Sequence, residues 1–190
     1  MARQTFTAGQ VLTAAQMTTL QDNSGLQHIS TTAVSAAANF SLANSTFTST
    51  FTNYRIIGAF TANATGASQT VTMRLRASGT DNTSSEYIYS NMRGSSAIGG
   101  ATAASGTTTS FLIVPAMTAP NRINFSIDVY KPQATDYTAI GGTVGALQNN
   151  ADMFAIVPTG VMTVTTSYDA ATFIISSGGF TGEYSVYGYE

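Results

Sequence analysis

The stretch NRINFSIDVYKP, residues 121–132, alternates apolar and polar side chains with a period of two. This alternation is typical of a β-strand that has one face in a core and the other in solvent. The stretch therefore predicts a half-buried strand. Its apolar face holds Ile123, Phe125, Ile127 and Val129, and its polar face holds Asn124, Ser126 and Asp128.

The same period recurs on both sides of this strand, in YRIIGAFTA (54–62), QTVTMRLRA (69–77), EYIYSNM (86–92), ATFIIS (171–176) and EYSVYGY (183–189). Two continuous apolar runs, FLIV (111–114) and MFAIV (153–157), are typical of strands buried on both faces. The glycine-rich runs AIGGATAASG (97–106) and IGGTVGAL (140–147) indicate flexible loops, or glycines that relieve crowding in a strand. Many short strands separated by turn formers predict an all-β fold, an antiparallel and jelly-roll-like β-sandwich.

One short helix is predicted ahead of the strands, over Ala14–Gln21. Thr13 and Gln16 have the spacing of a capping box, and Leu12 and Met17 have that of a hydrophobic staple. Met17 and Leu20 share one face of this helix. A helix of this length is marginal in isolation, so it has to dock on another surface.

The Ser, Thr and Ala content of residues 30–46 is that of a linker. We therefore predict an N-terminal anchor segment over 1–44, with the short helix and linker, and a β-sandwich domain over 45–190. Two interpretations of the helix stay open: packing on its own sheet, or anchoring on a neighbouring subunit.

Charge is unusually scarce in this chain of 190 residues. Charged residues make up 8% of the sequence and hydrophobic residues 43%, with a net charge of −2, whereas an average soluble domain is about 25% charged. A surface with so little charge repels its neighbours weakly, which suits a protein packed among other subunits. One Lys and six scattered Arg argue against a nucleic-acid partner. No apolar run reaches the length of a membrane span, and the start lacks the apolar run of a secretory signal.

The residues that carry chemistry form no recognisable set. The sole histidine, His28, has no second His for a metal pair, and no Gly-x-Ser-x-Gly sequence is present. The carboxylates are scattered through turns and outward strand positions, and cysteine is absent. We therefore predict a protein that is not an enzyme, with no cofactor and no metal site.

Two sets of side chains are candidates for surface contacts. Arg74 and Arg76 share the outer face of one strand and could meet a carboxylate of a neighbouring subunit or an acidic glycan. The alternative is an ordinary solvent-facing sheet in which carboxylates such as Glu86 or Asp128 pair with them. Tyrosine supports protein contacts and sugar stacking alike. The tyrosine pairs that share a face are Tyr87 with Tyr89 and Tyr187 with Tyr189.

The opening TFTAGQVLTAAQMTTLQ (5–21) resembles the N-terminus of many bacteriophage tail and minor tail proteins. The residues that carry this resemblance are Phe6, Gly9, Leu12, Thr13, Ala14 and Ala15. FTNYRIIGAF (51–60), TMRLRASGTDNTSSEYIYSN (72–91) and TGEYSVYGYE (181–190) resemble a β-sandwich of phage tail-fibre and virion-associated proteins. The resemblance implies assembly, often as a homotrimer, with no cofactor and no reaction.

The combined expectation is a bacteriophage virion structural protein, associated with the tail or tail tip. It would be assembled in the host cytoplasm and would bind other virion proteins through a segment that includes Phe6, Leu12, Thr13, Gln16, Met17 and Leu20. A homo-oligomer is expected, with a trimer favoured. The alternatives are a capsid decoration protein and a tail-fibre module that binds a glycan of the host surface.

Overall fold

The structure, a computed structural model, describes residues 8–9, 11–22, 25–62, 68–96, 100–118, 120–148 and 152–190. These residues form one helix, α1 (Ala14–Asp22), and thirteen strands. The strands are β1 (Gln27–Ala37), β2 (Asn39–Ser41), β3 (Asn53–Ala62), β4 (Ser68–Ala77), β5 (Thr80–Asp81), β6 (Tyr87–Ser95), β7 (Ala101–Thr108), β8 (Phe111–Thr118), β9 (Pro120–Tyr130), β10 (Thr138–Gln148), β11 (Asp152–Met162), β12 (Ala170–Ile175) and β13 (Phe180–Tyr189).

The strands form two sheets, so the predicted all-β sandwich is confirmed. The larger sheet has eight strands in the order β1-β13-β3-β9-β10-β11-β6-β7. The smaller sheet has the order β2-β12-β4-β5, and β8 also pairs with β4. The strand pairs are antiparallel, as expected for strands that each bury one face against the other sheet.

Aromatic rings join the two sheets at the centre of the core. Phe173 of β12 is fully buried, and its ring stacks on Phe40 at 5.0 Å and on Phe125 at 4.9 Å between centroids. Phe40 belongs to the smaller sheet and also stacks on Tyr184 of the larger one. The predicted period of two therefore places large apolar side chains where the sheets meet.

The predicted helix and its capping box are confirmed. The backbone N–H of Gln16 donates to Thr13 Oγ1 at 3.2 Å, and the backbone N–H of Thr13 donates to Gln16 Oε1 at 2.9 Å. Leu12 and Met17 are 37% and 53% exposed, so the predicted staple buries neither of them.

The predicted linker over 30–46 is corrected by the structure. Residues 27–37 form β1, which pairs with β13 at one edge of the larger sheet, and residues 39–41 form β2, which pairs with β12. The sandwich therefore begins at Gln27, ahead of the predicted boundary at residue 45. β1 is exposed on most of its length and buries only Val34, so its composition shows no apolar alternation.

The structure also tests the predictions for the two apolar runs and for the two glycine-rich segments. The run MFAIV is not buried on both faces, because Met153, Ala155 and Val157 of β11 are exposed and only Phe154 and Ile156 are buried. The glycine-rich segments over 97–106 and 140–147 contribute strands β7 and β10, so of the two predicted alternatives the residues described there agree with glycines in a strand and not with flexible loops. FLIV lies in β8 and is mostly buried, as predicted.

Candidate functional site

The N-terminal segment presents apolar side chains to solvent. Val11 is 87% exposed, Leu12 37%, Met17 53% and Leu20 38%. The structure therefore does not support packing of these side chains on the sandwich. Phe6 lies outside the described residues. An eight- or nine-residue helix with an uncovered apolar side is marginal by itself and gains stability when that side is buried.

Arg74 and Arg76 share the outer face of the smaller sheet, as predicted, but their partners differ from those predicted. Arg76 Nε lies 3.3 Å from Asp81 Oδ1, and the same carboxylate oxygen accepts from Thr172 Oγ1 at 2.7 Å. Arg74 Nε donates to the carbonyl of Thr109 at 3.2 Å. The arginines therefore bind groups of their own fold, and Asp81 takes the place expected for Glu86 or Asp128.

Tyr87 is not a surface residue, which corrects the prediction for this pair. Its side chain is fully buried between the sheets. The Tyr87 hydroxyl accepts from the backbone N–H of Leu75 and donates to the carbonyl of Asn82, both at 3.0 Å. Burial raises the pKa of Tyr87 well above its usual value. Tyr89 shares this inward side and is half-buried against Gly106 of β7.

Tyr187 and Tyr189 share the outer face of the larger sheet, as predicted, and both are half-buried. Tyr187 contacts His28 edge-on, with 5.4 Å between ring centroids. The Tyr189 hydroxyl donates to Asp128 Oδ1 at 3.1 Å. Burial, and then the Asp128 carboxylate, raise the pKa of Tyr189.

An ion pair that the sequence did not indicate lies beside Tyr187 and Tyr189. Arg55 donates from Nε and Nη2 to the two carboxylate oxygens of Asp128, each at 2.8 Å. These residues face each other directly across β3 and β9. A bidentate pair of this kind is geometrically specific, so it fixes the side chains around it. Because Arg55 and Asp128 lie 73 positions apart, only the register of the strands brings them together.

The surface most suited to contacts is the outer face of β10, β11, β6 and β7. We call it the neutral face, because none of its outward positions carries a charged side chain. Its most exposed large side chains are Ile88, Met92, Met153 and Val157, at 44%, 56%, 48% and 44%. Its outward positions are Ala139, Gly141, Thr143, Gly145, Leu147, Met153, Ala155, Val157, Thr159, Val161, Ile88, Ser90, Met92, Gly94, Ala101, Ala103, Ser105 and Thr107.

The strand register brings the apolar members of the neutral face together. Met92 lies directly opposite Val157, and Ile88 lies opposite Val161. On the far side of β6, Met92 also faces Ala103 of β7. The sequence signal for this face was in MFAIV and in EYIYSNM, because apolar residues occur there on both faces of the strand.

No family model, curated protein or solved structure matches the chain. Within the described residues, no group of three or more His, Cys, Asp or Glu side chains is placed to hold a metal ion. The one helix found in those residues is too short and too polar to cross a membrane.

Proposed function

We propose that the chain is a structural component of a bacteriophage particle, associated with the tail or tail tip and acting through protein–protein contacts. The observation that carries the proposal is the neutral face. Interface cores are depleted of charged residues and enriched in methionine, and this face combines both features. The proposal of a phage tail as the assembly rests on the resemblance of the N-terminal segment to phage tail proteins.

The size of the neutral face agrees with a role in assembly. Four strands spaced about 4.8 Å apart are roughly 19 Å wide, and the five outward positions of β11 span about 27 Å. The face therefore covers on the order of 500 Å², a large part of the roughly 800 Å² that each partner buries in an interface of standard size. We expect partner subunits to cover it in the particle. A homotrimer is the form that the resemblance implies.

The exposed N-terminal helix supports a second contact, with another virion protein. Four residues separate α1 from β1, so a deletion of residues 1–24 removes none of the strands that the structure describes. We expect the truncated chain to fold as a sandwich, with the circular dichroism of the full chain, and to be missing from particles. The measurement is the amount of tagged chain in purified particles, after expression in cells where those particles assemble.

Full-length tagged chain provides the control for this experiment. If the truncated chain enters particles as well as the full chain does, the anchoring role of the N-terminal segment is wrong. If the full-length chain is itself missing from the particles, the proposal of a virion component is wrong. Imaging of labelled particles separates a tail location from capsid decoration.

A glycan-binding role is the second candidate, favoured by the arrangement of Tyr189 and Tyr130. Both lie opposite Asn53 in one row across β13, β3 and β9, and Tyr130 is 38% exposed. Two aromatic rings that flank a polar side chain can stack on a sugar and bind its hydroxyls. A glycan array probed with the whole chain tests this role, and an array without any binding would exclude it for the glycans displayed.

A further inference from the structure

We infer that β7 pairs antiparallel with β7 of a second copy of this chain, about a twofold axis perpendicular to the larger sheet. The observations are the unprotected edge of β7 and its uncharged side chains. The choice of a second copy as partner rests on the proposed assembly role. The pairing itself can be tested in purified protein, so it can fail or hold separately from that role.

The other sheet edges carry features that block pairing with another chain. An exposed edge strand offers unpaired backbone N–H and C=O groups, and proteins protect such edges with bulges, proline, charge or short length. β1 has two register shifts in its pairing with β13. β2 has three residues and β5 has two. β8 contains Pro115, and its pairing with β4 shifts register twice.

β7 has none of these protective features. It is eight residues long, and its register with β6 runs unbroken from Tyr87 opposite Thr108 to Gly94 opposite Ala101. Its sequence, ATAASGTT, contains no charge and no proline, and its first five residues are exposed. Among the described strands, only β6 pairs with β7. The free side of β7 is therefore a regular backbone edge with no large side chain to obstruct a partner.

A second copy fits this edge because an antiparallel pair of identical strands is self-complementary. The same donors and acceptors occur on both sides of the axis, and the absence of charge on β7 removes repulsion between copies. Two extended strands of this length form about six to eight backbone hydrogen bonds. The contact also places the two neutral faces side by side, since a perpendicular axis keeps both outer faces on the same side of the joined sheet.

The face alternation restricts the position of the axis. Residues directly opposite each other in an antiparallel pair point to the same face, so outward residues must meet outward residues. The two registers that do this with the longest overlap have the axis at Ala104 or at Ser105. In each, the residue at the axis lies opposite its own copy, with a Cα–Cα distance of about 4.5–5.5 Å.

Single cysteines test both registers, because the chain contains no cysteine of its own. The variants are Ala104→Cys and Ser105→Cys in the full chain, and the control is Ala33→Cys at an exposed position of the opposite edge strand β1. A Cα–Cα distance of about 5 Å allows a disulfide without backbone movement. We expect one of the two β7 variants to form covalent dimers under mild oxidation at least about tenfold faster than the control. The variant that does so identifies the axis.

A charge substitution provides an independent measurement. Ser105→Lys places two ammonium groups opposite or diagonal to each other across the joint, which destabilises a strand pair. In sedimentation equilibrium we expect the dimer dissociation constant to rise by about tenfold or more. Ala33→Lys adds the same charge at β1 and should leave the constant unchanged.

Several results would overturn the inference. One is a wild-type chain that sediments as a monomer at the highest concentration at which it stays soluble, or as the homotrimer that the resemblance implies, since a closed trimer has no twofold contact between its copies. Another is a pair of β7 cysteine variants that cross-link no faster than the Ala33 control. A cross-link from residue 105 to a different protein in particles would show that β7 binds another partner. With each of these results the chain can still be found in particles. The inference can therefore fail while the proposed function holds.

Discussion

Replacement of Tyr87 by Phe gives the sharpest test of where the structure places its tyrosines. The sequence pattern alone put Tyr87 on an outer surface, where loss of its hydroxyl would change stability very little. In the structure the ring is fully buried and the hydroxyl links two backbone groups, the N–H of Leu75 in β4 and the carbonyl of Asn82. The substitution keeps the ring and removes both hydrogen bonds.

The expected loss follows from those two contacts. A typical hydrogen bond contributes about 1 kcal/mol net, and a buried donor left without a partner costs about 1–3 kcal/mol. Leu75 is fully buried, so its N–H loses its partner in the variant, and we expect Tyr87→Phe to lower the free energy of unfolding by about 2–3 kcal/mol. For a chain of this size that corresponds to a melting temperature lower by about 4–12 °C.

Guanidinium unfolding followed by far-ultraviolet circular dichroism measures this loss. The matched control is Tyr137→Phe, which removes a hydroxyl from a side chain that is 55% exposed and should change stability by less than about 0.5 kcal/mol. Equal unfolding free energies for the two variants would refute the burial of Tyr87 and its role as a link between β4 and the segment before β6.

Two further predictions follow from the same core. Burial raises the pKa of Tyr87, Tyr168 and Tyr189, so the unfolded chain loses these protons first, and the contribution of these three groups to stability should be constant below about pH 10 and fall above it. Unfolding free energies near pH 8 and near pH 11 should differ less in Tyr87→Phe than in the wild type. Phe173→Ala removes the ring that stacks on Phe40 and Phe125, and should cost about 3–5 kcal/mol in the same unfolding experiment; a loss below about 1 kcal/mol would contradict the central stack.

The strands that the sequence predicted correctly are those with one buried face, such as β4 and β9, or with two, such as β12. β4 and β9 alternate because every second side chain enters the core between the sheets, as at Val71, Met73 and Leu75. Edge strands lack this signal. β1 buries only Val34, and β7 buries no side chain fully. Because both strands consist mainly of small residues, β1 has the composition of a linker and β7 that of a loop.

For β10 the sequence left a loop and a strand as open alternatives for a different reason, since β10 lies inside the larger sheet between β9 and β11. Its glycines gave the composition of a loop, but a Cβ at Gly142 would lie 2.2 Å from the carbonyl oxygen of Ser126 on the neighbouring strand. The alternative interpretation, glycines that relieve crowding in a strand, agrees with this contact. Composition cannot distinguish the two cases, because the crowding arises from a strand that is distant in sequence.

Alternation also cannot tell which face of a strand is the inner one when both faces are apolar. Tyr87 and Tyr89 do share a face, as predicted, but it is the inner face, and Ile88 and Met92 point outward. Met153 and Val157 of the neutral face were therefore predicted to be buried, and the buried Tyr87 was predicted to lie at the surface. Only the pairing of β6 with β11 and β7 decides the question.

The few charges of this chain are concentrated away from the neutral face. Arg55 pairs with Asp128 across β3 and β9, and Arg76 pairs with Asp81 across β4 and β5. These pairs stabilise strand register within one molecule. The outward faces of β10, β11, β6 and β7 carry no charge that would repel another molecule. Their free edge, β7, also has no proline and no irregularity in its register with β6. An edge contact between two copies uses backbone groups in the plane of the sheet, whereas a subunit that covers the neutral face approaches from above it. The two contacts do not compete, so paired chains would offer an assembling particle a neutral surface twice as wide as that of one chain.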